Sequence, residues 1–444
     1  MKHSNDKKVD KISTFGLIMV VVGACIGSGI FLTPQSIAAF VGQEFLIMLA
    51  WVIGGIIVLT GALCYSELSG LFPGAGGVYV YLKEAFGKRM AFLYGWSVLT
   101  VITSGSIAAI TLACATYTNQ LLGNPMNSMA VILLAAGFIV FNTFIHTLGI
   151  KIGEVFNNVL TGLKIIGLLA LIAIGVFFAN SIDIVDSNSL EPIYSSPLTA
   201  IGMAMIPILW SFGGFQHATF LAADAINPKK SVPIGMLAGV SLVTIIYLLV
   251  NYAYISTLGL SGLMQSEKPA LDTVFAVFGN AGNIFVNSLI ILSTFGSAFL
   301  FTMSAPRIYF AMAKDDVFFS WMAKKHKKYN TPANAIISQS VWSIVLLLFW
   351  GTFEALINYV TFLEWIFLGA AGIAVVKFRS FLKVKTYVFK MPLYPILPFI
   401  FGISVLGFLL VTLANGNEPA IYGTFFIFFG LVAYEVFKRL NRHK

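Results

Sequence analysis

A chain of 444 residues that is 58% hydrophobic and 10% charged, with a mean hydropathy of +0.89, lies far from the composition of soluble domains. That excludes a water-soluble fold and points to a polytopic membrane protein. A net charge of +9 and a pI near 9.3 require no nucleic-acid partner, because the basic residues fall in short loops between apolar stretches and no aromatic-basic module accompanies them.

Met1 to Lys11 is polar and the apolar stretch after it is too long for a cleavable signal, so the first span is expected to direct insertion itself. A hydrocarbon core of about 30 Å takes roughly 20 residues per helix. On that rule twelve spans are expected, at 13–39, 45–71, 91–122, 127–148, 155–179, 199–223, 232–258, 284–312, 334–351, 355–376, 392–414 and 419–438. A transmembrane barrel is excluded, since its strands alternate in polarity whereas Phe45 to Ser66 is continuously uncharged. The fold class is therefore an all-α integral membrane protein.

All but two of the 27 lysines and arginines fall on one side of these spans. Lys164 lies inside a span, and Lys268 alone sits on the other side, amid Glu44, Asp183, Asp186, Glu191, Glu267, Asp272, Glu354 and Glu418. The basic side is expected to be cytoplasmic, which puts both termini inside and agrees with an even number of spans. Cys25, Cys64 and Cys114 fall within expected helices, so no disulfide framework is implied.

The first span carries the run Gly23-Ala24-Cys25-Ile26-Gly27-Ser28-Gly29-Ile30-Phe31. Glycine weakens a helix and leaves backbone groups without partners, which a membrane tolerates only where the backbone is buried in protein or lines a wet cavity. A second such stretch, Pro207-Ile208-Leu209-Trp210-Ser211-Phe212-Gly213-Gly214-Phe215-Gln216, interrupts the sixth span. Small residues also serve close helix packing, but two clusters at the openings of two five-helix halves favour paired broken helices in an inverted repeat. Gly27 and Gly213 then correspond. The expected division is a tail at 1–12, a first repeat at 13–179, a second repeat at 199–376, peripheral helices at 392–438 and a tail at 439–444. Freed amides of Ser28 and Gly29 would face an anion, and carbonyls near Cys25 and from Trp210 to Gly213 would accept from an ammonium. Such a site suits a zwitterionic amino acid.

Lys164 stands ten positions into the fifth span with no other charge from Val155 to Ala179, and such a residue is functional by default. Three roles stay open: a fixed cation in place of a bound sodium ion, a titrating coupling group, or simple snorkelling. Glu67, Asp224 and Arg307, at the basic-side ends of spans two, six and eight, are candidate gate residues, with solvated helix-end charges as the alternative. Glu364 lies inside the tenth span and faces a cavity or titrates. His217 and His146 read as hydrogen-bonded packing residues or pH-sensitive groups. No histidine or cysteine pair has metal-ligand spacing and no glycine-rich phosphate loop follows a strand, so no metal or other cofactor is expected. Convergent acids and bases for an enzyme and a repeated filter for a channel are also missing.

The helix 1 pattern Gly-x-x-Ile-Gly-Ser-Gly-Ile-Phe, the stretch Trp210 to Phe215, Asn227-Pro228, Pro306 to Ala313 and Pro392-Leu393-Tyr394-Pro395 resemble the amino acid, polyamine and organocation superfamily. Within it the chain is most similar to the L-type amino acid transporter family and its bacterial relatives, with Leu356 to Val360 adding weaker support. The resemblance implies a pseudo-symmetric ten-helix core of the LeuT-like kind with two peripheral helices, and one amino acid bound between broken helices 1 and 6. It implies a substrate site of Cys25, Ile26, Gly27, Ser28, Gly29, Trp210, Phe212 and Gly213, with Ser28 and Gly29 amides on the carboxylate and Cys25, Trp210 and Gly213 carbonyls on the amino group. Trp210 would close over the substrate, and Lys164 would steady the carbonyls around Gly27.

Around the breaks Cys25, Ser28, Phe212, Phe215, Gln216, Thr302 and Ser304 offer no acid placed to pair a cationic side chain, which argues for a neutral substrate. Exchange is the commoner habit of the L-type branch; proton-coupled symport and amine or polyamine uptake are the alternatives. Animal members pair with a glycoprotein through a cysteine in the loop between helices 3 and 4. Here that loop, Gly123-Asn124-Pro125-Met126-Asn127-Ser128, has none, so no disulfide-linked heavy chain is expected. The implied partners are an amino acid and the lipid bilayer of a bacterial inner membrane; oligomeric state and the particular amino acid stay open.

Overall fold

A computed structural model describes residues 11–178, 191–349, 353–381, 389–414 and 418–442. Within hydrocarbon every backbone N–H and C=O must be paired inside its own segment or within the protein, and the described chain is accordingly helical. The first span is three pieces: α1 (Thr14–Cys25), α2 (Gly29–Leu32) and α3 (Pro34–Val41). Then follow α4 (Glu44–Leu71), a short α5 (Val78–Phe86), α6 (Lys88–Ser97) and α7 (Thr103–Leu121), the last two joined by a π-helical turn at Val98–Ile102. α8 (Ser128–Thr147) and α9 (Ile150–Phe178) come next. The sixth span is α10 (Pro197–Ser211) and a four-residue α11 (His217–Phe220). α12 (Pro228–Gln265) kinks at Gly259 and leads to α13 (Pro269–Phe278). α14 (Asn280–Ser304) runs on through Pro306 into α15 (Pro306–Lys314). The chain ends with α16 (Ala333–Phe349), α17 (Phe353–Phe381), α18 (Ile396–Ala414) and α19 (Glu418–Arg442).

Nine helical stretches among the described residues are long and apolar enough to cross a membrane. The other three expected spans fall on the interrupted α10–α11, on the 17-residue α16 and on α19. The break itself is what shortens α10 to 15 residues. Two helices were read from sequence as loops. α5 and α13 are nine and ten residues long, amphipathic, and each buries one face, so neither has the length of a span. Residues 1–10 of the expected tail at 1–12, the loop at 179–190 and residues 443–444 of the expected tail at 439–444 lie outside the described residues.

The outer helices are arranged for lipid. α9 turns Val155, Val159, Leu163, Ile166 and Leu169 outward while burying Asn157, Thr161 and Lys164 on its inner face. A water-soluble helix would do the reverse. The broken first span is enclosed by α9, α12 and α14, and α14 packs in turn on α7. At its start, Ser13 caps α1 by accepting from the Gly16 amide at 2.9 Å, while its own amide and hydroxyl donate to Glu154 of α9 at 3.1 and 3.0 Å. The chain before α1 is also stitched to the segment after α11: Ile12 N–H donates to Asp224 O at 2.8 Å and Ile226 N–H donates to Ile12 O at 2.9 Å.

Candidate functional site

α1 stops at Cys25 because Ile26 leaves the helical region (φ −77°, ψ 82°), and helical geometry resumes only at Gly29. α10 stops at Ser211; Gly214 then takes φ +102°, a left-handed conformation that glycine adopts without steric cost, before α11 begins. The two interruptions press on each other. A methyl group added at Gly29 would lie 2.8 Å from Ser211 Cα, and one at Gly214 would lie 2.8 Å from Ala24 Cβ. Only glycine lets these backbones come so close.

Several of the freed carbonyls find a side chain from a surrounding helix. Lys164 Nζ on α9 donates to Gly23 O at 3.0 Å, to Ile26 O at 2.8 Å and to Ser297 Oγ at 2.9 Å. Ser297 and Ser293 on α14 reach the same group, Ser297 Oγ lying 2.8 Å from Gly23 O and Ser293 Oγ 3.0 Å from Ile26 O. Tyr247 on α12 stands between the two breaks, with its hydroxyl 2.6 Å from Cys25 O and 2.7 Å from Ser211 O. The amides of Ser28 and Gly29 are different: neither has a backbone acceptor, and the buried Ser28 hydroxyl has no partner.

These groups open onto a narrow cavity bounded by both breaks, by Thr103 and Ser106 of α7, by Trp210, His217 and Phe301, and by Glu364 of α17. Its free space is about 20 Å³, so wall side chains must give way before anything the size of an amino acid enters. Glu364 accepts from Gln216 Nε2 at 2.6 Å. His217 is 2.5 Å from Ser304 Oγ through Nδ1 and stacks on Phe301 at 4.5 Å. His146 is 2.7 Å from Phe299 O and packs on that ring, away from the cavity.

Of the expected substrate residues, Cys25, Gly27, Ser28, Gly29, Trp210 and Gly213 line this cavity, and Ile26 and Phe212 do not. Ile26 presents its carbonyl to Lys164 on the far side of the break. Phe212 points outward and packs on Trp51 at 6.1 Å and Tyr247 at 5.0 Å. The Cys25 carbonyl already accepts from Tyr247 and from the Gly27 amide, and the Trp210 carbonyl accepts from the Gly213 amide. The expectation that no acid stands near the site is also corrected: Glu364 is in its wall. Thr302, counted among the pocket groups, instead donates to Ala298 O of its own helix.

The expected gate divides. Arg307 Nε lies 3.2 Å from Asp224 Oδ2. Glu67 belongs to a different pair, because it is fully buried on α4 facing α17, where Arg379 Nε and Nη2 meet its two oxygens at 2.7 and 2.5 Å and the Met391 amide donates to it at 2.8 Å. Sequence reading missed Tyr247, Ser293, Ser297, Thr103 and Ser106. Hydroxyl residues are common in apolar helices, and nothing local marks these as reaching a break on another helix.

Helices with outward apolar faces, packed around two interrupted helices that share one cavity, define a polytopic membrane protein with an internal site. The chain belongs to the amino acid permease family, whose profile matches residues 12–434. It is 30% identical to the mouse b(0,+)-type amino acid transporter 1, over 98% of this chain and 90% of that protein. It is 28% identical to the serine/threonine exchanger SteT of Bacillus subtilis, over 92% and 93%, and 29% identical to the mouse large neutral amino acids transporter small subunit 2, over 94% and 78%. It is therefore an amino acid transporter of the amino acid, polyamine and organocation superfamily, similar to the L-type branch.

Proposed function

We propose that the protein is a secondary active carrier of neutral L-amino acids that works by alternating access as a sodium-independent exchanger. The observation that carries this reading is Lys164 Nζ, which donates to the carbonyls freed at the first break at 2.8–3.0 Å and so occupies the place a bound cation would take. A site already filled by a tethered amine needs no diffusible cation. The unpartnered amides of Ser28 and Gly29 suit a carboxylate, and the positive end of a half-helix favours one. The name of the Bacillus subtilis relative supports exchange.

The same reading takes the chain as twelve spans in a LeuT-like five-plus-five inverted repeat with two peripheral helices, both termini cytoplasmic, in a bacterial inner membrane. It needs no disulfide-linked heavy chain. The two breaks in the first and sixth spans and the cysteine-free loop between α7 and α8 support it.

One observation favours a second reading. Glu364 lines the cavity opposite the break amides, where a carboxylate pairs a cationic side chain or amine, or carries a proton. Purified protein in liposomes decides between them. Uptake of neutral amino acids only into preloaded vesicles supports the exchanger. Uptake into empty vesicles that collapses with the proton gradient, or a preference for cationic substrates that Glu364→Gln abolishes, replaces it with the second reading.

A further inference from the structure

A second cavity, of about 580 Å³, lies on the basic side of the molecule beneath α15 and beside the turn between α8 and α9. That volume is in the range of small-molecule sites. Its wall gathers Arg307, Lys314, Lys325, Lys327 and Lys328 with one carboxylate, Asp224. Asp224 is already paired with Arg307, so four lysines remain without a carboxylate in the wall.

All four lysine side chains are exposed at the mouth of the cavity, and three of them lie over rings. Lys314 Nζ stands 4.8 Å and Lys325 Nζ 5.6 Å from the centroid of the Phe310 ring, and Lys328 Nζ is 5.1 Å from that of Tyr329. Both rings belong to the cavity wall. Arg307, with only 7% of its side chain exposed, forms one wall. An excess of positive charge on this side follows from topology alone, but topology places no charge around a concavity. Four like charges gathered around one concavity repel one another and focus a positive potential into it. A multiply charged anion removes that cost.

We propose that this cavity is a binding site for phosphate-bearing ligands that together bring at least two negative charges, either a soluble polyphosphate or the clustered headgroups of anionic phospholipids. The size of the hollow excludes recognition of a single chloride as its purpose. The ligand reaches Arg307 as well as the lysines, and it competes there with Asp224. Occupancy therefore loosens the tie between α15 and the segment after α11. The site is independent of which amino acid the transporter carries.

The full-length protein in phosphatidylcholine nanodiscs is titrated with pyrophosphate by calorimetry, and its thermal midpoint is compared with that in discs containing phosphatidylglycerol. Lys325→Ala with Lys328→Ala is expected to weaken pyrophosphate binding, or shrink the phosphatidylglycerol shift, by about tenfold, the loss of a charge-assisted contact or two. Asp224→Asn is expected to act oppositely and tighten binding, since it frees Arg307. Lys438→Ala with Arg439→Ala, a basic pair outside the cavity wall, is the control and leaves both readouts in place. Pyrophosphate binding identifies a soluble occupant; a shift with phosphatidylglycerol alone identifies a lipid. Absence of both, or equal loss in the control pair, overturns the proposal. Asp224→Asn weakening the binding overturns the competition for Arg307.

Discussion

Lys164 holds together what the first break pulls apart. Its ammonium is the shared partner of Gly23 O, Ile26 O and Ser297 Oγ, and truncation leaves buried carbonyls with one donor fewer. Ser297 and Ser293 still reach these carbonyls, so the cost is that of the lost hydrogen bonds, about 0.5–1.5 kcal/mol each, and it falls on the unwound segment rather than on the helices around it. Lys164→Ala is thus expected to cut transport by about tenfold or more while the protein still inserts; uptake measured against protein recovered from the membrane checks this, and a normal rate would make the lysine a passenger. Gly29 calls for a different reading. An added Cβ would meet Ser211 Cα at 2.8 Å, so Gly29→Val separates the two broken helices as well as crowding the carboxylate amides. Loss of substrate binding is expected, measured by ligand-dependent thermal shift, and Ser211→Gly should not restore it, because glycine keeps the Cα that the added atom meets. These residues were legible because a lone charge or a glycine run is anomalous in an apolar span. The orientation of Ile26 and Phe212 was not, since a break destroys the periodicity from which a side chain's face is read.

The two broken helices act as elements because Tyr247 bridges them. Its hydroxyl contacts a carbonyl from each, Cys25 O at 2.6 Å and Ser211 O at 2.7 Å, and the ring is clamped between Trp51 and Phe212. Tyr247→Phe keeps the ring and removes the donor, so the packing survives while the registration of one break on the other is lost. Exchange is expected to slow with little change in thermal midpoint, and an unchanged exchange rate with a lowered midpoint would reduce the tyrosine to a structural role. The α4 to α17 contact is the opposite case. Glu67 is fully buried with Arg379, which also donates to Met391 O at 3.0 Å and lies over the Tyr394 ring. Removing one partner of a buried pair costs about 3–5 kcal/mol, so Glu67→Ala is expected to depress thermal stability sharply, as followed by thermal unfolding in detergent. Helix lengths and breaks were largely visible in the sequence. Glu67's partner was not, because Arg379 is 312 positions away and helix-end charges look alike until the helices are packed. α5 and α13 were missed because a helix of nine or ten residues with one buried face carries no hydropathy signal of its own.

At the scale of the whole molecule, charge and shape make separate statements about orientation. All but two of the 27 basic residues lie on one side of the spans, and that side also carries the Arg307–Asp224 pair, the Ser13–Glu154 cap and the Ile12 to Ala225 stitch. On the expected twelve spans the opposite side has acidic loops, and Lys268 is the one basic residue the sequence assigns to it. On the proposed orientation, in which the positive-inside bias puts the latched side in the cytoplasm, the ties that must part for substrate to leave inward are concentrated there. Orientation is open to direct measurement because Cys25, Cys64 and Cys114 are free and buried and their replacement by alanine gives a silent background. In that background, Glu267→Cys is expected to react with a membrane-impermeant maleimide on intact cells, and Lys328→Cys only after permeabilisation. The converse pattern would place the basic cavity and the Arg307–Asp224 pair outside. The ties would then have to part for substrate entering from outside, and the proposed soluble ligand would have to come from the external medium.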